Sequence, residues 1–210
     1  MVRWSRGAMT ALALLGLLAA CTSQGRESLP VYGGIPSFSL TDQIDRTLTD
    51  EDIRGKVVLA NFIFTTCTQS CPVLSPRMAE LQEQLGEDGV LGQEVLLLSF
   101  SVDPEHDTPE VLQAYAQRYG TDHDSWRLLT GSPAAMRRVI TDGFKLAFGQ
   151  MPGRTEHVHD DGSAHFHEYD VAHTNRVVLG DRAGRVRAYY DGASDWDMAQ
   201  VLKDVRNLLN

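Results

Sequence analysis

Hydrophobic and polar residues alternate with two different periods along this chain, and the switches between them mark its elements. Val57 to Phe64 is apolar at almost every position, as in a strand covered on both faces. Glu94 to Val102 has the same character through Val95, Leu96, Leu97, Leu98 and Phe100. Between them, Leu74, Met78, Leu81 and Leu85 recur at three- and four-residue spacing, which predicts a helix ending near Gly86. Val111, Leu112 and Tyr115 predict a second helix that stops at Gly120. Asp107 and Glu110 have capping-box spacing, with Pro109 just inside that helix. Trp126 to Thr130 reads as a short strand. Ser132-Pro133 opens a helix through Met136, Val139 and Ile140 to about Thr141, and Phe144 to Phe148 reads as another short strand. Tyr169 to Leu179 reads as one strand, which Asp181-Arg-Ala-Gly184 turns into Arg185 to Tyr190 as a hairpin. Ser194-x-x-Asp197 starts a last helix striped by Trp196, Val201, Leu202, Val205 and Leu208. Near the start, Ile35 to Leu40 alternates as a strand with an early proline, and Leu48 to Arg54 reads as a helical turn. Strands alternating with helices, then a hairpin and a helix, predict an α/β domain with a central mixed sheet flanked by helices.

The first residues fall outside that pattern. Arg3 and Arg6 precede an apolar run from Ala8 to Ala20, too short to span a bilayer comfortably and flanked like a signal peptide. Leu18-Ala19-Ala20-Cys21 resembles the bacterial lipoprotein signal, so residues 1–21 are expected to be a signal peptide ending at Cys21 as the lipidated residue. Residues 22–34, polar and glycine-containing, read as a flexible tether, and 35–210 as the domain. A lipid on Cys21 leaves Cys67 and Cys71 as the two remaining thiols of the chain's three. Without Arg3 and Arg6, the 19 basic residues fall to 17 against 28 acidic ones, a formal charge of −11. Such a surface does not suit nucleic acid, so no nucleic-acid partner is expected. The predicted location is the bacterial cell envelope, with the domain facing the periplasm or cell exterior.

The chemistry centres on Phe62-Ile-Phe-Thr-Thr-Cys67-Thr-Gln-Ser-Cys71-Pro72, where the first buried strand gives way to a helix. Pro72 fits the first turn of that helix, where its missing N–H costs nothing. Four-residue spacing puts two thiols on one face of a helical segment. At roughly 6 Å between Cα atoms they can also close a Cys67–Cys71 disulfide. A helix N-terminus lowers a thiol pKa, and two thiolates side by side suit a soft metal such as Cu(I) or thiol–disulfide exchange. A purely structural pair is the third possibility. A dithiol closing a central strand and opening a helix is the thioredoxin arrangement, and α/β sites form at such strand ends. Thioredoxin-like oxidoreductases generally place a cis-proline opposite the dithiol, but this chain has no proline after Pro152. The strand expected there carries His173. Two thiolates and one imidazole make a trigonal Cu(I) site, or with a further ligand a Cu(II) site.

These stretches together resemble the Sco/SenC family of copper chaperones for cytochrome c oxidase. The resemblance rests on Gly55-Lys-Val-Val-Leu-Ala-Asn-Phe-Ile-Phe-Thr-Thr-Cys67, Cys71-Pro72, Leu98-Ser-Phe-Ser-Val-Asp-Pro104, Asp107-Thr-Pro109, Leu128-Leu-Thr-Gly131 and His173-Thr174, in this order. It covers about Ile35 to Leu209. It implies a thioredoxin-like fold, copper held by Cys67, Cys71 and His173, and Asp103 as a nearby supporting carboxylate. It also implies copper delivery to, or thiol reduction of, the CuA site of oxidase subunit II. Gln43-Ile-Asp45-Arg46 departs from the family, which usually has glycine in that turn. A thiol–disulfide oxidoreductase with Cys67 attacking and Cys71 resolving is the alternative function. A peroxiredoxin-like peroxidase fits less well, because Thr65 and Thr66 sit too close to Cys67 for its Thr-x-x-Cys pattern. The expected carrier is a monomer that presents its site to cytochrome c oxidase subunit II or another copper acceptor.

A second group of metal-ligating residues lies apart from these. His157-x-His159 and His165-x-His167 are symmetric about Gly162. As an inserted hairpin with 157 opposite 167 and 159 opposite 165, they would place four imidazoles on one strand face, enough for an accessory Cu(II) or Zn(II) site. A polar loop whose histidines titrate near neutral pH is the plainer reading.

Overall fold

The computed structural model describes residues 28–67, 71–158, 164–172, 175–194 and 196–210. In chain order the elements are β1 (Gly33–Gly34), β2 (Ser39–Asp42), β3 (Thr47–Thr49), β4 (Val57–Ile63), α1 (Cys71–Glu87), β5 (Val95–Ser101), α2 (Pro109–Arg118), β6 (Trp126–Thr130) and α3 (Pro133–Arg137). A π-helical segment (Arg138–Gly143), β7 (Gly149–Val158), β8 (Ala164–Ala172), β9 (Arg176–Gly180), β10 (Arg185–Asp191) and α4 (Met198–Leu209) complete them. Eight strands form one mixed sheet in the order β1-β10-β9-β4-β5-β6-β2-β3, and β7 pairs with β8 in a separate ribbon.

The two apolar runs are neighbours at the centre. β4 and β5 run parallel from Val57↔Val95 to Ile63↔Ser101, and both strands are buried at every position. β6 continues the parallel set beside β5, and β9 borders β4 antiparallel. Above this sheet Phe62 stacks on Phe100 at 6.0 Å between ring centres, and Phe144 meets both edge-on at 5.3 and 5.1 Å. Such edge contacts add about 0.5–1.5 kcal/mol each beyond the burial of the rings. Leu74, Met78, Leu81 and Leu85, the predicted stripe of α1, are all buried. This is the helix-flanked mixed sheet expected of a thioredoxin-like domain.

Several elements differ from the sequence reading. The first strand of the domain is Ser39–Asp42 rather than 35–40, and 48–54 is a three-residue strand followed by turns. Gly33–Gly34, inside the expected tether, pairs with β10. Residues 144–148 form no strand, because Phe144 turns inward onto the phenylalanine cluster. The helix expected over 132–141 has a Ser132 cap but changes to π-helical turns at Arg138. Cβ at Gly143 would come within 2.5 Å of Pro36, so the end of this segment is fitted against the chain entering β2. Asp107 does not cap α2. Thr108 does, accepting from the Val111 amide, while the Asp107 carboxylate is committed elsewhere. In the turn where the sequence lacks a glycine, Asp45 takes φ 62, a conformation open to a short polar side chain. Buried Asp42 holds that turn by accepting from the amides of Ile44 and Arg46.

Two differences concern the candidate site. The single strand expected over 169–179 is two strands in different sheets. β8 ends at Ala172 against β7, and β9 begins at Arg176 between β4 and β10. No glycine or proline between Tyr169 and Leu179 marks the change of sheet. The histidine-bearing hairpin exists as the β7–β8 ribbon, but its register is not the symmetric one. His157 pairs with His165, and His167 pairs with Thr155. Register is set from the base, at Gly149↔Ala172, and by an irregularity between Pro152 and Thr155. Proline cannot donate to the ladder, so an irregularity beside it follows from its chemistry.

Candidate metal centre

β4 delivers its chain to the carboxyl edge of the sheet, and there the backbone leaves the strand at Phe64 and turns through Thr65 and Thr66 to Cys67. α1 begins at Cys71, with Pro72 in its first turn as expected. Pro76 lies inside the same helix, so the carbonyl of Pro72, next to Cys71, receives no helical bond from residue 76. That second proline was overlooked in the sequence because the stripe of leucines runs through it unbroken.

Cys67 and Cys71 are both buried, and no disulfide joins them. The Cys71 amide donates to the Cys67 Sγ at 3.4 Å, which ties the end of the strand loop to the start of the helix. The helix-terminus argument predicted low thiol pKa values. For Cys71 the structure gives the opposite. Its hydrogen bond with Cys67, burial, and the charge of Cys67 push the Cys71 thiol well above its ordinary value. Desolvation and a like-charged neighbour outweigh the helix dipole, which is worth only about 0.3–1 kcal/mol. Behind the pair, Ser75 and Tyr115 share a 2.6 Å hydrogen bond, and burial followed by the nearby Cys71 keeps the Tyr115 phenol far above its usual range.

The neighbouring strand contributes carboxylates to the same edge. Asp107 is fully buried and accepts from the Thr65 amide at 3.2 Å, the Thr65 hydroxyl at 2.6 Å and the Ser101 hydroxyl at 2.6 Å. It therefore fastens the loop after β5 to the loop that carries Cys67. His106 reaches the same carboxylate through Nδ1 at 3.3 Å, and that hydrogen bond with Asp107 raises its pKa, with the charges of Asp107 and Asp103 adding to it. Asp103 is buried, with its amide donating to Ser101 Oγ at 3.1 Å. It also lines a cleft of about 440 Å³ with Val102, Glu105, Pro133, Arg137 and Phe148. The sequence reading places Asp103 and Asp107 together near the dithiol but gives the supporting role to Asp103 and a helix cap to Asp107. His106 went unnoticed, although its place between two carboxylates was legible in Asp103-Pro-Glu-His-Asp107.

His173, with Thr174, lies outside the described residues, as do His159 and Cys21. The chain on its far side is described. The Gly192 amide donates to the Asn175 carbonyl at 2.6 Å, and Arg77 of α1 donates to the Gly192 carbonyl. A Cβ on Gly192 would meet Leu74 of α1 at 2.3 Å. Asn175 is thus held through Gly192 against the first turns of the helix that Cys71 opens. Among the described residues, no group of three His, Cys, Asp or Glu side chains could hold a metal ion, so Cys67 and Cys71 are a two-donor pair within that set.

Two soft sulfur donors, a carboxylate-braced loop and an open strand edge are what the chain presents here. Residues 31–210 match the sequence profile of SCO1/SenC. The SCO1 protein homolog of Bacillus subtilis is 28% identical over 200 residues, covering 95% of this chain and 94% of that protein. The solved structure of BsSco, described as a member of the Sco family of cytochrome c oxidase assembly proteins with a disulfide switch, aligns with TM-score 0.71. It is 27% identical and covers 88% of this chain and 99% of its own. Bradyrhizobium japonicum ScoI with copper bound aligns with TM-score 0.61 at 26% identity, over 83% of this chain and 98% of its own. The fold is thioredoxin-like, and the chain belongs to the SCO1/SenC family.

Proposed function

We propose that this protein is a membrane-tethered copper chaperone that carries Cu(I) on Cys67, Cys71 and His173 and supplies it to the CuA site of cytochrome c oxidase. The observation that carries the reading is the pair of buried cysteines joined by the Cys71 N–H to Cys67 Sγ contact. Thiolate and imidazole donors select Cu(I) over hard cations. Copper bound to ScoI and the oxidase-assembly role of the Sco family support the cargo and the acceptor. Asp103 and Asp107 act behind the ligands, holding the loops that present them. Lipid on Cys21 would keep the domain at the bacterial cell envelope, on the periplasmic or outer side. No helix among the described residues is long and apolar enough to cross a membrane.

Transfer proceeds by ligand exchange, as the acceptor's donors replace Cys67, Cys71 and His173 one at a time. Loading has a proton cost, because thiols bind metal as thiolates. The raised pKa of Cys71 means that its proton must leave when copper arrives. Cu(I) affinity therefore rises with pH up to the Cys71 value. Titrating Cu(I) against a competing chelator into the reduced protein without residues 1–21 tests the reading. One tight equivalent is expected, with affinity at least tenfold weaker in His173→Ala and stronger at pH 8 than at pH 6.5. Binding indifferent to His173 would overturn the ligand set.

The disulfide switch of BsSco favours one further reading of the same pair. In it Cys67 and Cys71 lose two electrons and two protons to a partner's disulfide and close their own. The Cys71 amide donating to Cys67 Sγ stabilises a Cys67 thiolate and makes it the attacking sulfur. This exchange should tolerate His173→Ala, which separates it from copper carriage.

A further inference from the structure

Among the described residues three large hydrophobic side chains are exposed, Val31, Tyr32 and Val73. Val73 stands in the first turn of α1, beside the dithiol. Val31 and Tyr32 are neighbours at the opposite margin of the molecule, where the chain enters β1, the edge strand of the sheet. The Tyr32 amide donates to the Val186 carbonyl at 2.9 Å, and Gly34 pairs with Arg185. The Tyr32 ring meets Tyr189 edge-on and leaves half of its surface to solvent. Cations stand beside this pair. Arg185 is exposed, and its Nε donates to Asp181 at 2.8 Å. Its two Nη groups have no partner among the described residues. Lys145 is exposed too, with its Cε 3.6 Å from where a Cβ on Gly33 would sit. It gives one N–H to the Asp142 carbonyl and keeps two. Arg182 and Arg187 line a cleft of about 330 Å³ with Ser28 and Leu29. The carboxylates there are engaged, Asp181 by Arg185 and Arg187, and Glu94 by Arg182.

We propose that the β1 edge is a membrane-docking face, at which Val31 and Tyr32 enter the headgroup layer of an anionic phospholipid bilayer while Arg185 and Lys145 pair with its phosphates. Tyrosine favours the membrane–water interface, a guanidinium fits phosphate oxygens in pairs, and anionic headgroups attract basic side chains close to the surface. The occupant follows from where the chain leads. Ser28 lines the cleft, and only residues 22–27 separate it from Cys21, a span of at most about 20 Å. The inference rests on the reading that Cys21 carries lipid. A body held that close meets the bilayer intramolecularly, so a small patch suffices. The placement also suits delivery of copper. β10 pairs Val186 with Gly180, and Gly180 pairs with Val58, so β1 is level with the start of β4. The dithiol leaves β4 beyond its other end, five residues and about 17 Å further along the strand. A body docked on β1 keeps that edge clear of lipid and open to an acceptor.

The test uses residues 22–210, which include every described residue, with an acylated peptide ligated ahead of Thr22. The protein is then tethered whether or not Cys21 is lipidated in cells. Lipid on Cys21 is read separately, from the intact mass of the protein made in a bacterial host. Val31→Trp and Val73→Trp each put a fluorescent reporter at an exposed position, one at the β1 edge and one at the dithiol. The vesicles contain phosphatidylcholine and phosphatidylglycerol with brominated acyl chains, which quench tryptophan on contact. Val31→Trp should be quenched at least twofold more than Val73→Trp. Adding Arg185→Gln and Lys145→Gln to Val31→Trp should remove most of that excess. Vesicles of brominated phosphatidylcholine alone should remove it as well, with no substitution beyond the reporter. Equal quenching of the two reporters, or an excess that survives either change, overturns the docking face.

Discussion

Asp107 shows how one side chain can serve both the fold and the site. Its two oxygens accept from an amide and two hydroxyls, and Thr65, one of the partners, stands two residues before Cys67. Replacing Asp107 with Ala leaves the buried Ser101 hydroxyl and the half-buried amide and hydroxyl of Thr65 without this acceptor, the buried one costing about 1–3 kcal/mol and the other two less. We expect Asp107→Ala to lose about 3–4 kcal/mol in urea denaturation and to weaken Cu(I) binding, with Asp107→Asn between it and the native protein. His106 gives the same substitution a pH signature. Its pKa is raised above 6.5 chiefly by the Asp107 hydrogen bond. A raised histidine contributes stability that is fully present below 6.5 and lost as pH rises through the higher folded value. Native stability should therefore decline across that window, and the Asp107→Ala profile should be flatter there. An equally steep decline in the variant would place the titration elsewhere.

At the scale of elements, what the sequence made legible followed from burial. β4, β5 and the stripe of α1 are buried at nearly every position the pattern marked, because a central parallel pair leaves no polar face to confuse the period. The dithiol was legible for the same reason, since it sits where the two periods meet. The readings that failed depended on partners distant in sequence. Nothing in Val171 to Val178 states that β8 pairs outside the main sheet while β9 pairs inside it. Nor does the Asp107–Glu110 spacing state that Thr65 and Ser101, from two other segments, have already claimed the carboxylate. Gly192 belongs with these. Its backbone links Asn175, just past His173, to Arg77 and the Leu74 face of α1. Gly192→Ala would push a methyl into Leu74 and the Asn175 carbonyl. Overpacking of this kind costs about 1–3 kcal/mol. The sharper expectation concerns copper. Separating Asn175 from α1 should weaken Cu(I) affinity by more than a destabilising substitution of equal size far from the site, such as Lys56→Ala at the amino end of β4, where Lys56 donates to the Gly92 and Gln93 carbonyls. Equal Cu(I) affinity in the two variants would show that the Gly192 link does not position the copper ligands.

For the whole molecule the open question is where the folded body begins. The sequence reading placed a flexible tether up to residue 34, but the sheet takes in Gly33 and Gly34, and the family profile starts at residue 31. Three kinds of contact fasten this stretch. The Tyr32 amide donates to Val186 and the Ile35 amide to Gly184, at 2.9 and 2.8 Å. The rings of Tyr32 and Tyr189 meet edge-on at 5.2 Å. Arg187, mostly buried, donates to the carbonyls of Leu29 and Pro30 while also paired with Asp181. Tyr32 and Val31 remain more than half exposed, so little apolar burial is at stake and the hydrogen bonds decide the outcome. At about 1 kcal/mol each, and more for the two made by the Arg187 guanidinium, the loss of these four comes to about 4 kcal/mol or more. For a domain of this size that is a fall in melting temperature of about 8–16 °C or more. A protein beginning at residue 36 should melt that much lower than one beginning at residue 22. Equal melting temperatures would return residues 28–34 to the tether. The result also bears on reach. If Cys21 carries the proposed lipid and 28–34 are fastened to β10, six residues, 22–27, would separate the two, a span of at most about 20 Å, and the proposed copper site would be held close to the membrane.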